Sequence, residues 1–596
     1  MKTVNYIMVA VAVTLGFSSC YDLDVAPYDK VAQNNYWKTE ADAKSGVMGV
    51  YAQLKDYGAY GYMPLFDTYS DIGHGPGGPV EQGTYNGAYD FLVQNWRDTY
   101  DGVQRANTVI KNVSGMSIDD QVKNNVLGEA HFLRALYYFH LADFFGGVPI
   151  YDESWEVSES FNEMLLPRNS REEVWNFIIK DLTFAIANLP LKWAVSDYGR
   201  ATKGAAYALR GKAYLYTKNW SEAIADFEEI VYNKTNQYGY QLYPDYLTLF
   251  TSAGPVPNDN ETVFAIQNKG TTDNLYGMPL CTLYGTRGSY GGGRATCMPS
   301  VTLADMYEEK DGQKFNWNNY IPGYNESDAV KKKAFQATLN STKQKLETIP
   351  DTTLLGEIYR GRDPRMMQSL IVPYSYYNGY IVGTGAKKQL YAIAAGTTVA
   401  NGFIQNDRGW NVYFYRKFVP IEDMGGAITN RNYTPINFPI IRFADVLLML
   451  AEAYNEDNQL DKAVAELNKV RKRQSTNMPA LNSGPVWLQV SDKEDMFERI
   501  MHERAVELVG EGHRFSDLRR WGLAVQYLNN RQEKDFTGEI RFTRKFTERD
   551  YLWPIPSEEI QRRIKTISPV TSNALTSRRI YERTGRSLFN EQTIFS

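Results

Sequence analysis

The sequence predicts a mainly α protein: a scaffold of about four tetratricopeptide-like helical hairpins carrying a large irregular, loop-rich region. Three observations predict it. One helical-hairpin pattern recurs in register 240 positions downstream. Further apolar-periodic segments are bounded by strong helix start and stop signals. Between the two copies of the repeat, residues 236–437 lack helical periodicity and are rich in Gly, Tyr, Asn and Pro.

The first expected helix is QVKNNVLGEAHFLRALYYFHLADFF, residues 121–145, which stops at Gly146, Gly147 and Pro149. It pairs with residues 170–189, where Ser170 and Glu173 have the spacing of a capping box. In AAYALRGKAYLYTKNWSEAIADFEEIV, residues 205–231, Leu209, Ala213, Tyr214 and Tyr216 mark a first helix. Asn219 breaks it. Ser221 is expected to cap a second helix with Ala223, Ile224, Phe227 and Ile230 on one face. In DVLLMLAEAYNEDNQLDKAVAELNKVRKR, residues 445–473, Met449, Ala453, Tyr454, Ala463, Leu467 and Val470 repeat that pattern without a gap. Small residues let paired helices approach and larger ones fill the space beside them, as in a tetratricopeptide unit. Residues 494–509 and 512–528 form the last expected pair. The scaffold is thus placed at about residues 100–235 and 438–530, the insert at 236–437, and an N-terminal loop at 57–95.

Two charged or aromatic stretches near the end read structurally. ERAVELVGEGHRFSDLRRWG places Glu503, Arg504, Glu507, Glu511, Arg514, Asp517, Arg519 and Arg520 on one helix–turn–helix. Unlike charges three or four apart pair on a helix face, so a partly buried network is expected in preference to an anion site. YLWPIP is expected to pack as an extended segment on the scaffold.

The bulk numbers exclude several classes. With 64 basic and 69 acidic residues the net charge is −5, and no nucleic-acid partner is implied. Three cysteines and five scattered histidines, with no CxxC pair, make a structural zinc site improbable. Cys281 and Cys297 are open to either a disulfide or two free buried thiols. No GxSxG, HExxH or Cys/His signature is present, and no carboxylate pair is singled out for glycoside hydrolysis, so an enzyme is not expected. Aromatic residues make up 14%, with 43 tyrosines and 11 tryptophans. Their flat apolar faces and polar edges suit amphipathic ligands such as sugars, and equally suit packing.

The N-terminus carries an address. Lys2 precedes the apolar run 7–17, and Ser18 and Ser19 precede Cys20. The run is too short for a bilayer, which needs about 20 apolar residues, so it reads as a signal peptide over residues 1–19. A cysteine at that point fits the bacterial lipoprotein pattern, with Cys20 as the lipidated first residue of the body 20–596. The common pattern has Leu three residues before the cysteine; here Phe17 stands there. Asp22 and Asp24 resemble the surface-export signal of Bacteroidetes lipoproteins.

Two loop-like stretches could hold a ligand. The first is YGAYGYMPLFDTYSDIGHGPGGPVEQGTYNGAYDFLVQNW, where GHGPGGP forbids a regular element. Asp71 and His74 sit in its turn, and Tyr60, Tyr62, Tyr69, Tyr85 and Tyr89 are too many to be all core. A carboxylate accepts from vicinal sugar hydroxyls while a ring stacks on the pyranose face. The plainer reading is that Asp71 caps a turn and the tyrosines pack on the scaffold. Trp96, with Tyr100, Val103 and Ala106 at helical spacing, reads as core. The second stretch is NLYGMPLCTLYGTRGSYGGGRATCMPS, carrying Tyr284, Arg287, Tyr290 and Arg294; it is not a phosphate loop, because no strand–loop–helix frame or GK[ST] accompanies it. Trp317 follows the KDG turn.

Five stretches in order, ALYYFHLADFFGGVPI, GRATKGAAYALRGKAYLYTKNWSEAI, FPIIRFADVLLMLAEAYN, ERAVELVGEGHRFSDLRRWG and YLWPIPSEEI, resemble the SusD/RagB family of Bacteroidetes outer-membrane nutrient-binding lipoproteins. The resemblance implies a four-unit tetratricopeptide scaffold, an irregular region with the ligand site, and a lid on a TonB-dependent transporter that takes up oligosaccharides or, in some members, peptides. It implies a ligand loop before the W-x3-Y helix of Trp96 and Tyr100, with Asp71 where many members carry Asp, and ligand aromatics before the P-S-x-x-L-x-D-x-Y stretch that starts at Pro299. The expected ligand residues are therefore Asp71, His74, Tyr85, Tyr89, Tyr284, Tyr290 and Trp317. An oligosaccharide is the expected ligand and a peptide the alternative; a groove using Arg287, Arg294 and Arg408 would favour peptides or acidic sugars. The protein is expected at the outer-membrane surface, held by its lipid alone. No catalytic residue, metal or cofactor is expected.

Overall fold

The computed structural model describes residues 36–155, 166–233, 235, 237–256, 259–269, 277–342, 345–381, 385–394, 403–404, 412–424, 426, 428 and 431–567. Cys20, the leader and Arg408 lie outside them. The scaffold helices are α1 (Glu40–Ala52), α2 (Asp90–Ser114), α3 (Asp120–Phe145), α4 (Arg171–Asn188), α5 (Lys203–Tyr216), α6 (Trp220–Tyr232), α7 (Phe443–Glu456), α8 (Leu460–Arg471), α9 (Lys493–Glu507) and the short α10 (Arg514–Arg520). Four strands position the loops and the insert: β1 (Gly73–His74), β2 (Thr262–Ile266), β3 (Met298–Pro299) and β4 (Phe438–Arg442). The mainly α class with tetratricopeptide-like hairpins is the class found. No described helix is long and apolar enough to cross a membrane.

The internal repeat is reproduced in detail. Helices α5 and α7 begin and end 240 residues apart, and α6 and α8 begin 240 apart. Both hairpins turn through a left-handed residue at the same place, Lys218 at φ 61° and Asn458 at φ 62°. Their mates Leu209 and Met449, Ala213 and Ala453, Ala223 and Ala463, and Phe227 and Leu467 are all buried. Burying a ring such as Phe227 stabilises by about 1.5–3 kcal/mol. A Cβ at Gly211 would come within 2.6 Å of the Phe227 ring, so only glycine allows that approach. The cap of α6 is Asn219, not Ser221, because the helix starts two residues earlier than the serine reading requires. Ser170 and Glu173 do form the capping box on α4.

Helix α6 packs against α7, so the two repeats are neighbours in space although the insert separates them in sequence. The insert leaves and returns through β2 and β4, which pair antiparallel with Phe438 opposite Ile266. Within it lie short strands and short helices. Two further differences stand out. α2 packs along α3 as a full scaffold member. The last pair is not a simple hairpin, since residues 512–528 break into α10 and Ala524–Leu528 around Gly522 at φ 74°. Cys281 and Cys297 are two free buried thiols.

The charged stretch forms an ionic core between scaffold and insert. Glu507 on α9 receives Arg365 at 2.9 Å, Arg442 at 2.8 Å and Arg473 at 2.7 Å. Arg442 also meets Glu261 at 2.7 Å and Glu511 at 2.8 Å; Lys417 meets Glu511 at 2.6 Å. Arg504 joins Asp445 and Asp517, each at 2.8 Å. All of these side chains are buried. Burial opposes ionisation of Glu507, yet Arg473, Arg442 and Arg365 hold its carboxyl well below the ordinary value. The arginines are engaged internally, which matches the network reading.

Removing one member of such a set leaves buried charge uncompensated, at about 3–5 kcal/mol. Glu507→Gln is therefore expected to lower unfolding stability by about that amount, read as a shift of the urea midpoint; an unchanged midpoint would contradict the role given to Glu507.

Acid dependence follows from opposing groups. His140 and His513 are pushed down by burial to about 3 and about 4, so below their ordinary 6.5 the unfolded chain binds protons the native state refuses. That lowers stability as pH falls. Asp67 and Asp305 are pushed up by burial to about 7 and about 6, and act in the opposite direction down to their ordinary 3.8. Below about pH 4 the depressed carboxyls of Glu507, Glu511, Asp445 and Asp517 dominate: the unfolded state takes up protons first. Stability is expected to be nearly level from pH 7 to 5 and to fall steeply below 4, as checked by thermal melts across that range.

Candidate functional site

The structure brings the two candidate loops together. β1 pairs antiparallel with β3, Gly73 opposite Pro299 and His74 opposite Met298. Ser300 donates from N–H to Ile72 O at 2.9 Å and from Oγ to Asp71 O at 2.7 Å. Both loops rest on the turn between α9 and α10. Gly510 N–H donates to Asp67 Oδ2 at 2.6 Å, and Tyr284 donates its hydroxyl to Gly510 O at 2.7 Å. Gly512 has φ +80°, and a Cβ there would lie 2.4 Å from Met63 O, so glycine is required. Arg544, buried, donates to Thr68 O at 2.9 Å and Gly73 O at 2.6 Å, pinning the first loop from behind.

Most of the expected ligand residues turn inward, and these expectations are corrected. Asp71 is 0% exposed and accepts Nε and Nη2 of Arg514, each at 2.9 Å. Burial would raise its carboxyl, but Arg514 outweighs burial and holds it below the ordinary value. It is a fold anchor, not an offered acceptor. Tyr284 is 0% exposed, with its ring 4.5 Å from Tyr415. His74 is buried, its Nδ1 3.1 Å from Gly75 O, and burial pushes its pKa down. Tyr85 is buried beneath the Arg549 guanidinium, 5.6 Å from the ring centroid. Tyr290 is buried, and its carbonyl accepts the Cys281 thiol at 2.9 Å. Tyr60 and Tyr69 are also core, so more of the first loop's tyrosines are interior than its composition suggests. Loop backbone and core side chains coexist there because the 3-10 helix Met63–Tyr69 lays its rings on α3 and the YLWPIP segment: Phe66 lies 4.8 Å from Phe144, which stacks on Trp553 at 4.2 Å.

Tyr89 remains at the surface, half-buried at the start of α2. Two residues outside the expected set join it. Tyr57 is 36% exposed, and its ring lies 4.2 Å from Tyr62 at 60° and 5.4 Å from Phe91 at 89°. Burial, then the hydroxyls of Tyr89 and Tyr62 and the Asp90 carboxylate, push Tyr57 up to about 12. Burial also raises Tyr62 and Tyr89, so all three hydroxyls are neutral at ordinary pH. Glu81 is buried and accepts Gly75 N–H at 2.8 Å and also Gly78 N–H. The signal for Tyr57 and Tyr62 was present in YGAYGYM. It could not be separated from core tyrosines without the turn that faces Tyr57 and Tyr62 outward.

Trp317 does not join this face. It is buried, donates its indole N–H to Asp305 Oδ1 at 2.8 Å and stacks on Tyr324 at 4.7 Å.

Asp71→Asn removes the charge that compensates buried Arg514. It is expected to cost about 3–5 kcal/mol of stability. A variant with unchanged melting and abolished ligand binding would return Asp71 to the ligand site.

A family model described as SusD family matches residues 260–569. A second, described as starch-binding associating with outer membrane, matches residues 23–215. SusD-like protein P25 of Formosa agariphila is 24% identical over 582 residues, 94% of this chain and 97% of that protein. Starch-binding protein SusD of Bacteroides thetaiotaomicron is 23% identical over 466 residues, 77% of this chain and 74% of that protein. A solved SusD-like carbohydrate binding protein from Bacteroides fragilis superposes with a TM-score of 0.70 at 23% identity, over 88% of this chain and 99% of that one. The first model spans more than half of the sequence, and the chain belongs to the SusD family.

Proposed function

We propose that this protein is a surface lipoprotein of the outer membrane that binds oligosaccharides through the face of Tyr57, Tyr62 and Tyr89 and delivers them to a TonB-dependent transporter. The observation that carries the reading is the gathering of these three partly exposed, neutral tyrosines beside the joined loops. Their rings offer apolar surface to sugar C–H faces and their hydroxyls offer hydrogen bonds to the rim. The names of the relatives support a carbohydrate ligand: one matching model is called starch-binding and outer-membrane associated, and one structural neighbour is called carbohydrate binding. Cys20 supplies the tether, since each buried methylene of an acyl chain contributes about 0.8 kcal/mol. The reading is of a binder and not an enzyme, and it requires no cofactor.

The test is calorimetric titration of the chain lacking residues 1–20 against oligosaccharides and mixed peptides. A saturating glycan signal is expected. Tyr57→Ala with Tyr89→Ala is expected to weaken it about fivefold or more, from the loss of about 0.5–1.5 kcal/mol per aromatic contact. Saturation by peptides alone would move the protein to peptide uptake.

A further inference from the structure

Asp67 and Asp71 stand on the same loop, both buried, and their carboxyls have opposite surroundings. Asp71 is closed by the two-pronged contact of Arg514. Asp67 is held by backbone instead: its Oδ2 accepts Gly510 N–H at 2.6 Å, and Gly512 N–H also faces the carboxyl. Its Oδ1 is buried with no hydrogen-bond partner among the described residues, and no ion pair reaches either oxygen there.

The backbone of Asp67 is as engaged as its side chain. Its carbonyl accepts Ser70 N–H at 3.1 Å and Ser70 Oγ at 2.7 Å. A Cβ on Gly73, the first residue of β1, would lie 2.7 Å from that carbonyl oxygen. On the far side of the carboxyl, Gly510 O takes the Tyr284 hydroxyl from the second loop. One residue thus links the bend into β1, the turn between α9 and α10 and, through Gly510, the loop that leads to β3.

A buried carboxyl with no cation and one unserved oxygen is better kept neutral than charged. The neighbouring groups leave that balance standing. Glu511 in the turn adds negative charge and is itself taken by Lys417 and Arg442. Lys417 of the insert pulls the other way, more weakly than burial pushes. Tyr284 and Cys297 of the second loop and Tyr415 of the insert are pushed up by burial and stay neutral. His140 of α3 and His513 of the turn are pushed down and stay neutral. Arg514 is engaged by Asp71, and Arg544 by Glu533. Burial carries Asp67 up to about 7.

We infer that Asp67 is a proton-operated latch: when its carboxyl takes up a proton, the first loop seats more firmly on the α9–α10 turn, and the β1–β3 seam with it. Both loops are then held more tightly in mildly acid than in mildly alkaline solution. By linkage, a ligand that favours the seated loops draws in a proton as it binds. The latch goes beyond the proposed glycan binding and does not depend on which ligand is bound.

The experiment is hydrogen exchange read by mass spectrometry on the chain lacking residues 1–20, at about pH 8 and about pH 6, with rates corrected for intrinsic exchange. An opening that exposes Asp67 sheds its proton, because an exposed Asp holds one only below about pH 4. Protection of peptides over residues 63–74, 284–300 and 508–512 is therefore expected to rise about tenfold on acidification. Openings that expose His140 or His513 move protection the other way, so the sign is diagnostic. Asp67→Asn cannot titrate and is expected to lose the rise. No rise in the parent, or an equal rise in Asp67→Asn, would overturn the latch. If Asp67→Asn does not fold, carboxyl-carbon NMR of the aspartates is read on Asp305→Asn, which removes the carboxyl pushed up to about 6. Together with the parent's rise, an aspartate signal titrating at about 7 upholds the latch. Its absence overturns it.

Discussion

The packing of this molecule depends on Glu507. One carboxylate, at the end of α9, is met by three guanidiniums that come from three different places: Arg365 from the insert, Arg442 from the strand that closes the insert, and Arg473 from the end of the second repeat. Its backbone carbonyl takes Arg442 Nη2 at 2.8 Å and the Tyr246 hydroxyl at 2.7 Å. Ion pairs in a dry interior give little net stability, because each charge was desolvated to reach it. They are unforgiving of misplacement, however. An arrangement that left any one arginine unpaired would be heavily penalised, and the insert is therefore fixed in one position against the helices. Through Gly510 and Gly512 the same turn sets the heights of both candidate loops.

The scaffold was legible in the sequence because its determinants are local. Apolar spacing, the Ser170 capping box, the Gly146 stop and the 240-residue register each involve residues within a few turns of one another, or copies of one pattern. The site was much less legible. Asp71 and Arg514 are 443 residues apart in the chain, and nothing local in SDIGHG distinguishes a carboxylate that reaches a distant arginine from one that waits for a ligand. The tyrosines failed for a related reason. Tyr57, Tyr60 and Tyr62 share one short segment, yet Tyr60 sends its hydroxyl to Leu136 O at 2.9 Å in the core while Tyr57 faces out. In a turn-rich stretch no period sorts buried from exposed positions, as it does on a helix.

The two candidate loops come together only in the fold. Two stretches about 200 residues apart in sequence are rich in tyrosine and glycine, and the β1–β3 ladder joins them. Composition pointed to a region, and geometry then chose which of its side chains can be touched.

The narrow neck formed by β2 and β4 has a consequence for variation. Because the insert enters and leaves at adjacent strands, the helices on either side meet regardless of what lies between. The entropy of closing a loop grows only with the logarithm of its length, so doubling it costs about 0.6 kcal/mol. Lengthening or rewriting the loops beyond the neck therefore burdens the scaffold very little, provided Arg365 and Lys417 still reach their carboxylates. A lineage of such proteins can explore new ligand surfaces by insertion and deletion within that one bounded segment, while the repeats on either side stay unchanged.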